Sequence, residues 1–203
     1  QISHTTQNKI IPTPKEINYL SNKMSLVLPK DIKIYFSKES LRSVAIIFGE
    51  QLSLLGFKHQ LSYEKATNAN ISLLLDDSLE VEEHRISTDQ NIVISGGSYN
   101  AISAAMTSIL HLLEKKGEDI LFPLVKIRDF PDAPYRGLLI DLARRWHTIE
   151  TLKKLIDLSA FYKLNYMQLH LTDDQSFTFP SEAYPKLATK GRHYSKEELV
   201  DLV

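Results

Sequence analysis

The segment LHLTDDQSF, residues 169–177, closes an apolar run with two adjacent carboxylates, Asp173 and Asp174, and a histidine, His170, shortly before them. An earlier apolar run is followed by Asp141, Arg144, Arg145, Trp146 and His147. These groups have complementary chemistry. Carboxylates accept hydrogen bonds and protons, imidazole both donates and accepts, and a guanidinium fork grips two vicinal hydroxyls without ever losing its charge. Singly, none is specific. Paired acids behind a strand serve as turn or cap residues, Arg144–Arg145 as a solvated pair, Trp146 as core, and His170 as a satisfied interior histidine. Only a fold that brings the ends of both runs together would make them one binding site.

The surrounding pattern implies such a fold. YRGLLIDLA (135–143) reads as an apolar strand. TIETLKKLIDLSAFYKL (148–164) reads as a helix capped by Thr148, with Leu152, Leu155, Ile156, Ser159 and Ala160 facing inward. NYMQLHL (165–171) is a second apolar strand, and SKEELVDLV (195–203) opens another helix, with Ser195 and Glu198 spaced as a capping box. Strand, helix, strand, helix implies a parallel sheet. Parallel βα units present functional side chains at the carboxyl ends of their strands. Asp141 and Arg144 then share one mouth with His170, Asp173 and Asp174. A full (β/α)8 barrel takes about 250 residues, so this stretch supplies about two of its eight units.

The earlier residues read differently. IPTPKEI, with Pro12 and Pro14, is an extended lead-in. MSLVLP (24–29), DIKIYF (31–36) and ISLLLD (71–76) are strands, and EEHRIST (82–88) with NIVISGG (91–97) is a hairpin. SLRSVAIIFGEQLSLLGF (40–57) is a helix capped by Ser40 and closed by Gly56, with Leu41, Val44, Phe48, Leu52 and Leu55 on its buried face. NAISAAMTSILHLLEKKG (100–117) is a second helix, burying Ile102, Ala105, Ile109 and Leu112 and stopping at Gly117. Residues 120–134 are extended and end at Pro131 and Pro134, which mark a boundary between residues 1–130 and 131–203.

RGLLIDLARRW, a helix running into FYKLN, then LHLTDDQSF and the run to YPKL together resemble the opening of the catalytic barrel in glycoside hydrolase family 20, the β-N-acetylhexosaminidases. The order and spacing hold over roughly residues 134–187. IIPTPK resembles the segment that introduces the α+β domain, zincin-like in shape, ahead of that barrel in bacterial members. The resemblance implies an α/β chain: an N-terminal α+β domain over 1–130, then the first βα units of a TIM barrel over 131–203. It implies that Arg144 binds hydroxyls of the non-reducing-end sugar. It also implies that Asp173 supports a relay with the general acid, while Asp141, His170 and Asp174 position the barrel mouth. Arg145 stands where histidine is common, and Gln168–Leu169 where many members carry His-Trp, which bears on the pocket's fine shape.

The family's own acid/base pair, an Asp-Glu after the fourth barrel strand, lies outside these two units. This chain by itself is therefore expected not to hydrolyse hexosaminides. Three other readings stand beside this one. An O-linked N-acetylglucosaminidase-type enzyme shares the domain order, although Thr172 departs from its Lys-Asp-Asp pattern. The others are a non-catalytic carbohydrate-binding module and an α/β domain whose polar strand ends only cap helices.

Composition narrows the partners. The chain has 203 residues, 43% apolar, with a net charge of −1 and scattered Lys and Arg, which argues against a nucleic-acid surface. No apolar run reaches the length of a membrane span. With no cysteine, disulfides and thiol chemistry are excluded, and there is no HExxH; neither a cofactor nor a metal is expected. The expected partner is an N-acetylhexosamine-bearing glycan. A polar start at Gln1 suggests a processed N-terminus and a periplasmic, secreted or surface-anchored protein. The open edge of the strand at 165–171 predicts self-association.

Overall fold

The computed structural model describes residues 9–21, 24–63 and 68–203; the polar start of the chain lies outside them. Two compact units follow one another, Gln1–Asp132 and Ala133–Val203.

The strands of the first unit are β1 (Glu16–Tyr19), β2 (Ser25–Leu28), β3 (Asp31–Phe36), β4 (Lys58–Ser62), β5 (Ile71–Leu75), β6 (His84–Thr88), β7 (Ile92–Gly96), β8 (Glu114–Lys116), β9 (Asp119–Pro123) and β10 (Val125–Asp129). Seven form one mixed sheet in the order β1-β10-β6-β7-β5-β3-β4. One side of it is parallel (β7, β5, β3, β4) and the other antiparallel. A second sheet has the order β2-β9-β8. Two helices, α1 (Arg42–Leu54) and α2 (Tyr99–Leu112), pack on the large sheet, α1 against β3 and β4 and α2 against β5, β6 and β7.

The period-2 pattern of the strands explains this layer. Ile32, Ile34, Phe36, Ile71, Leu73, Ile86, Ile92, Ile94, Val125 and Ile127 are buried in one cluster with Val44, Phe48 and Leu52 of α1 and Ile102, Ala105 and Ile109 of α2. Phe48 is fully buried there; its truncation to alanine costs about 3–5 kcal/mol in a site of this kind.

Three local expectations are corrected. Ser40 does not cap α1. Residues Glu39–Leu41 form a 3-10 turn that runs into the helix, and Leu41 holds the cap position with no side-chain cap. Leu55 is exposed, because the helix ends before it and the chain turns away at Gly56, whose φ of +94° suits a residue without a Cβ. The second helix stops at Leu112 rather than at Gly117. Glu114–Lys116 leave it to pair antiparallel with β9, and Gly117, at φ +63°, turns that hairpin. The alternating-charge run EKKGED has no apolar stripe to hold it on the helix, so the hairpin wins. The strand β4, polar in sequence as KHQLS, carries little pattern of its own and is fixed by its parallel pairing with β3.

The second unit holds β11 (Gly137–Asp141), α3 (Ile149–Phe161), β12 (Tyr166–His170) and the short α4 (Lys196–Val200). β11 and β12 pair in parallel, with Asp141 opposite His170. Thr148 caps α3 through the Thr151 N–H, and Ser195 and Glu198 complete a capping box on α4. Ile140, Leu142, Ile149, Leu152 and Tyr194 form the core, joined by Leu138, Leu155, Met167, Leu169 and Leu199. Ala160, expected inside, is exposed. Among the described residues, no helix is long and apolar enough to cross a membrane.

Candidate functional site

The two strands hold their site from both ends. At the amino ends, the Arg136 N–H donates to Asn165 Oδ1 (2.9 Å) and Asn165 Nδ2 donates to the Pro134 carbonyl (2.9 Å). Arg136 Nε donates to the Lys163 carbonyl at 3.0 Å. Lys163 takes a left-handed φ of 59°, closing α3 where glycine is usual. Tyr135 stacks on Tyr166 with centroids 4.7 Å apart, and a Cβ on Gly137 would meet the Tyr135 hydroxyl at 2.5 Å and its ring at 2.7 Å. The Arg-Gly and Lys-x-Asn parts of the sequence pattern are therefore a bracket. It sets the parallel register that puts Asp141 beside His170.

At the carboxyl ends, four side chains meet. Arg144 Nη1 lies 2.6 Å from Asp141 Oδ2, and the Arg144 backbone N–H donates to Asp141 Oδ1 at 3.0 Å. Arg144 Nη2 lies 2.6 Å from Asp173 Oδ2. The same oxygen lies 2.9 Å from His170 Nε2. Asp173 is itself fixed by its short loop: its N–H donates to the Ser176 carbonyl (3.0 Å), its Oδ1 accepts from the Asp174 N–H (2.8 Å), and Thr172 bridges to Phe177. Asp141, Arg144, His170 and Asp173 thus form one cluster. Asp174 joins it through Asp173 and through the charge of Arg144, and its residue is exposed.

Electrostatics follow from these contacts. The Arg144 backbone N–H, then its guanidinium, hold the Asp141 carboxyl below the usual carboxylate range. The hydrogen bond shared with the Asp174 carboxyl, then that from His170, hold Asp173 well below it. The same pairing pushes Asp174 up. Bonding to Asp141, together with the charge of Asp173, raises Arg144 further. The result is a fixed cation between two ionised carboxylates, with its side chain still half exposed at 53%. A guanidinium held on two sides keeps its orientation while its side chain stays half exposed, which is what recognition of paired hydroxyls needs.

Sequence reasoning missed what holds the loop that carries Arg144. Ser176 Oγ donates to the Ala143 carbonyl, Arg192 Nη2 donates to the carbonyls of Ala143 (3.3 Å) and Arg144 (3.2 Å), and Tyr194 Oη donates to the His147 carbonyl (2.5 Å). Tyr194 is fully buried and stacks on Trp146 at 5.7 Å. A signal was there: Tyr194 directly precedes the Ser195 cap, the position from which an apolar residue staples onto the helix, here with Leu199 in the same cluster.

A groove of about 830 Å3 in this unit, lined by Phe179, Ala183, Leu199 and Val200 among others, contains none of the five predicted residues. Among the described residues, no three or more His, Asp or Glu side chains are placed to hold a metal ion.

Known proteins are similar to this chain in sequence and fold. Residues 133–201 match the model of the glycosyl hydrolase family 20 catalytic domain, and residues 7–130 that of glycosyl hydrolase family 20, domain 2. A β-hexosaminidase of Vibrio furnissii is 27% identical over 193 residues, covering 95% of this chain and 31% of the relative. A β-N-acetylhexosaminidase of Cellulomonas fimi is 36% identical over 110 residues, 54% of this chain and 21% of the relative. The crystal structure of β-N-acetylhexosaminidase from Bacteroides fragilis superimposes with a TM-score of 0.85 at 25% identity, over 97% of this chain and 42% of that one. The chain spans about a third of the length of the curated relatives that it matches most fully.

Proposed function

Because the chain belongs to glycosyl hydrolase family 20, we propose that its second unit is the sugar-gripping opening of a β-N-acetylhexosaminidase active site. Arg144 binds the outer hydroxyls of a terminal N-acetylglucosamine or N-acetylgalactosamine. Asp141 and Asp173 keep its guanidinium aimed, and Asp173 also holds His170. The observation that carries this reading is the double bracket of Arg144 by Asp141 and Asp173 across two adjacent strand ends.

Asp173 does not serve as the general acid. Its carboxyl is held ionised by three neighbours, and an acid must carry a proton to give. Nor does the adjacent Asp174 form a two-carboxylate pair with it: retaining enzymes that use two carboxylates set them about 5 Å apart on either side of the bond, not on consecutive residues of one loop. Family 20 chemistry avoids this need, since the 2-acetamido oxygen of the substrate attacks the anomeric carbon itself. It calls for an Asp-Glu pair to orient the acetamide and protonate the leaving oxygen. The 203 residues contain no Asp-Glu dipeptide. We therefore assign sugar binding to this chain and bond cleavage to the complete barrel.

A chromogenic N-acetyl-β-glucosaminide tests both parts. The expected result is saturable binding with no release of chromophore above that of an Arg144→Ala control. Release above that control would refute the division of labour, and absence of binding would refute the sugar site.

A further inference from the structure

We infer that Arg192 is a positioning residue for the sugar-gripping arginine, acting through the backbone of the loop that presents it. The inference rests on the sugar-binding reading of Arg144 but concerns a residue that reading does not use.

The loop from Ala143 to His147 follows β11, and its Ala143 N–H donates to the His170 carbonyl at the end of β12 (3.1 Å). Its carbonyls point to a single later segment. Ser176 and Arg192 both donate to Ala143, Arg192 also to Arg144, and Tyr194 to His147. The segment is itself tied down: the Tyr194 N–H donates to the Thr178 carbonyl and the Arg192 N–H to the Thr189 carbonyl, both at 3.0 Å. Arg192 is half-buried. One of its nitrogens reaches two successive carbonyls, so it fixes the peptide plane between Ala143 and Arg144. That plane sets where the Arg144 side chain starts. The Arg144 N–H lies in this same peptide and donates to Asp141 Oδ1. A tilt of this plane would break that bond and swing the guanidinium off Asp173. Loops carry binding residues with precision only when a rigid scaffold holds them, and here Arg192 supplies a charge-assisted part of that hold.

A merely structural arginine would affect stability alone. The proposal predicts an effect on Arg144 itself. In isotopically labelled chain, the Nε–Hε resonance of Arg144, assigned by its loss in Arg144→Lys, should be well dispersed. In Arg192→Ala it should collapse toward the free-arginine position, while the amide resonances of α3 stay in place and N-acetylglucosamine affinity falls about tenfold, the worth of one charged hydrogen bond. Arg192→Lys keeps a charged donor and should restore most of the dispersion. An unchanged Arg144 resonance in Arg192→Ala would overturn the inference, and so would global unfolding of that variant without separate rescue by lysine. The resonance needs no sugar. If the wild-type chain binds none yet Arg192→Ala collapses the signal, the sugar reading fails and the positioning role stands.

Discussion

Arg144 Nη2 stands 2.6 Å from Asp173 Oδ2, so a cation carried behind β11 and a carboxylate carried behind β12 close an ion pair across the mouth of the parallel sheet. Neither group needs the other for its own turn. Arg144 already has Asp141 at the end of the strand before it, and Asp173 already has His170. The cross-strand pair joins two local constellations into one.

Removing that link without changing its shape isolates its role. Asp173→Asn keeps the side-chain size and takes away the charge that both Arg144 and His170 face. N-acetylglucosamine binding should weaken roughly tenfold, in line with the loss of a charge-assisted contact. Asp174→Asn should change it less than threefold, roughly within one neutral hydrogen bond. Isothermal titration of the two variants distinguishes them, and equal losses would contradict the separate roles assigned here.

The paired acids should titrate apart. Asp173 and Asp141 have folded pKa values held below the unfolded value of about 3.9. Their contribution to stability is therefore complete above that value and is lost as pH falls through the lower folded values. Asp174 is raised, so its contribution is present below about 3.9 and is lost as pH rises through its folded pKa. A carbon-detected carboxyl titration should show one step below 3.9, dominated by Asp173, and one above it, dominated by Asp174; a single shared midpoint would be the wrong result.

In the first unit, Glu83 is 5% exposed and accepts from Arg128 Nε at 2.9 Å and from Arg85 Nη2 at 2.9 Å. Arg128, then Arg85, hold its carboxyl below the ordinary range. Both arginines are partly solvated, which screens the pairs. Glu83→Gln should cost about 1–2 kcal/mol in urea unfolding, and the cost should shrink in an Arg128→Met background to the share that Arg85 holds.

Among the described residues, the two-stranded sheet leaves one edge of β11 and one of β12 without a strand partner. Leu139 and Tyr166 are 55% and 54% exposed beside them. Open edges of this kind seek partners. Sedimentation velocity should show concentration-dependent association that Leu139→Lys weakens; a monomer at every concentration would count against it.

Much of this was legible in advance because it rests on local rules. The capping box at Ser195 and Glu198, the Thr148 cap and the parallel pairing of β11 with β12 each follow from spacing within a few residues. The convergence of Asp141, Arg144, His170 and Asp173 followed from one more step, that parallel strands share an active end. What escaped depended on partners distant in sequence. KHQLS becomes β4 only because β3 offers an edge, and Glu114–Lys116 leave α2 only because β9 takes them up. Arg192 looks like any basic loop residue until the fold brings two carbonyls to it.

The central claim is that Arg144, bracketed by two acids, grips a sugar. Trp146, the chain's single tryptophan, lies on the same loop and stacks on Tyr194, so its emission reports events at that mouth. Titrating the chain with N-acetylglucosamine while following this emission should give a saturable change that Arg144→Ala abolishes and that Arg144→Lys, lacking the fork, recovers only in part. The same saturation curve in wild type and Arg144→Ala would contradict the account.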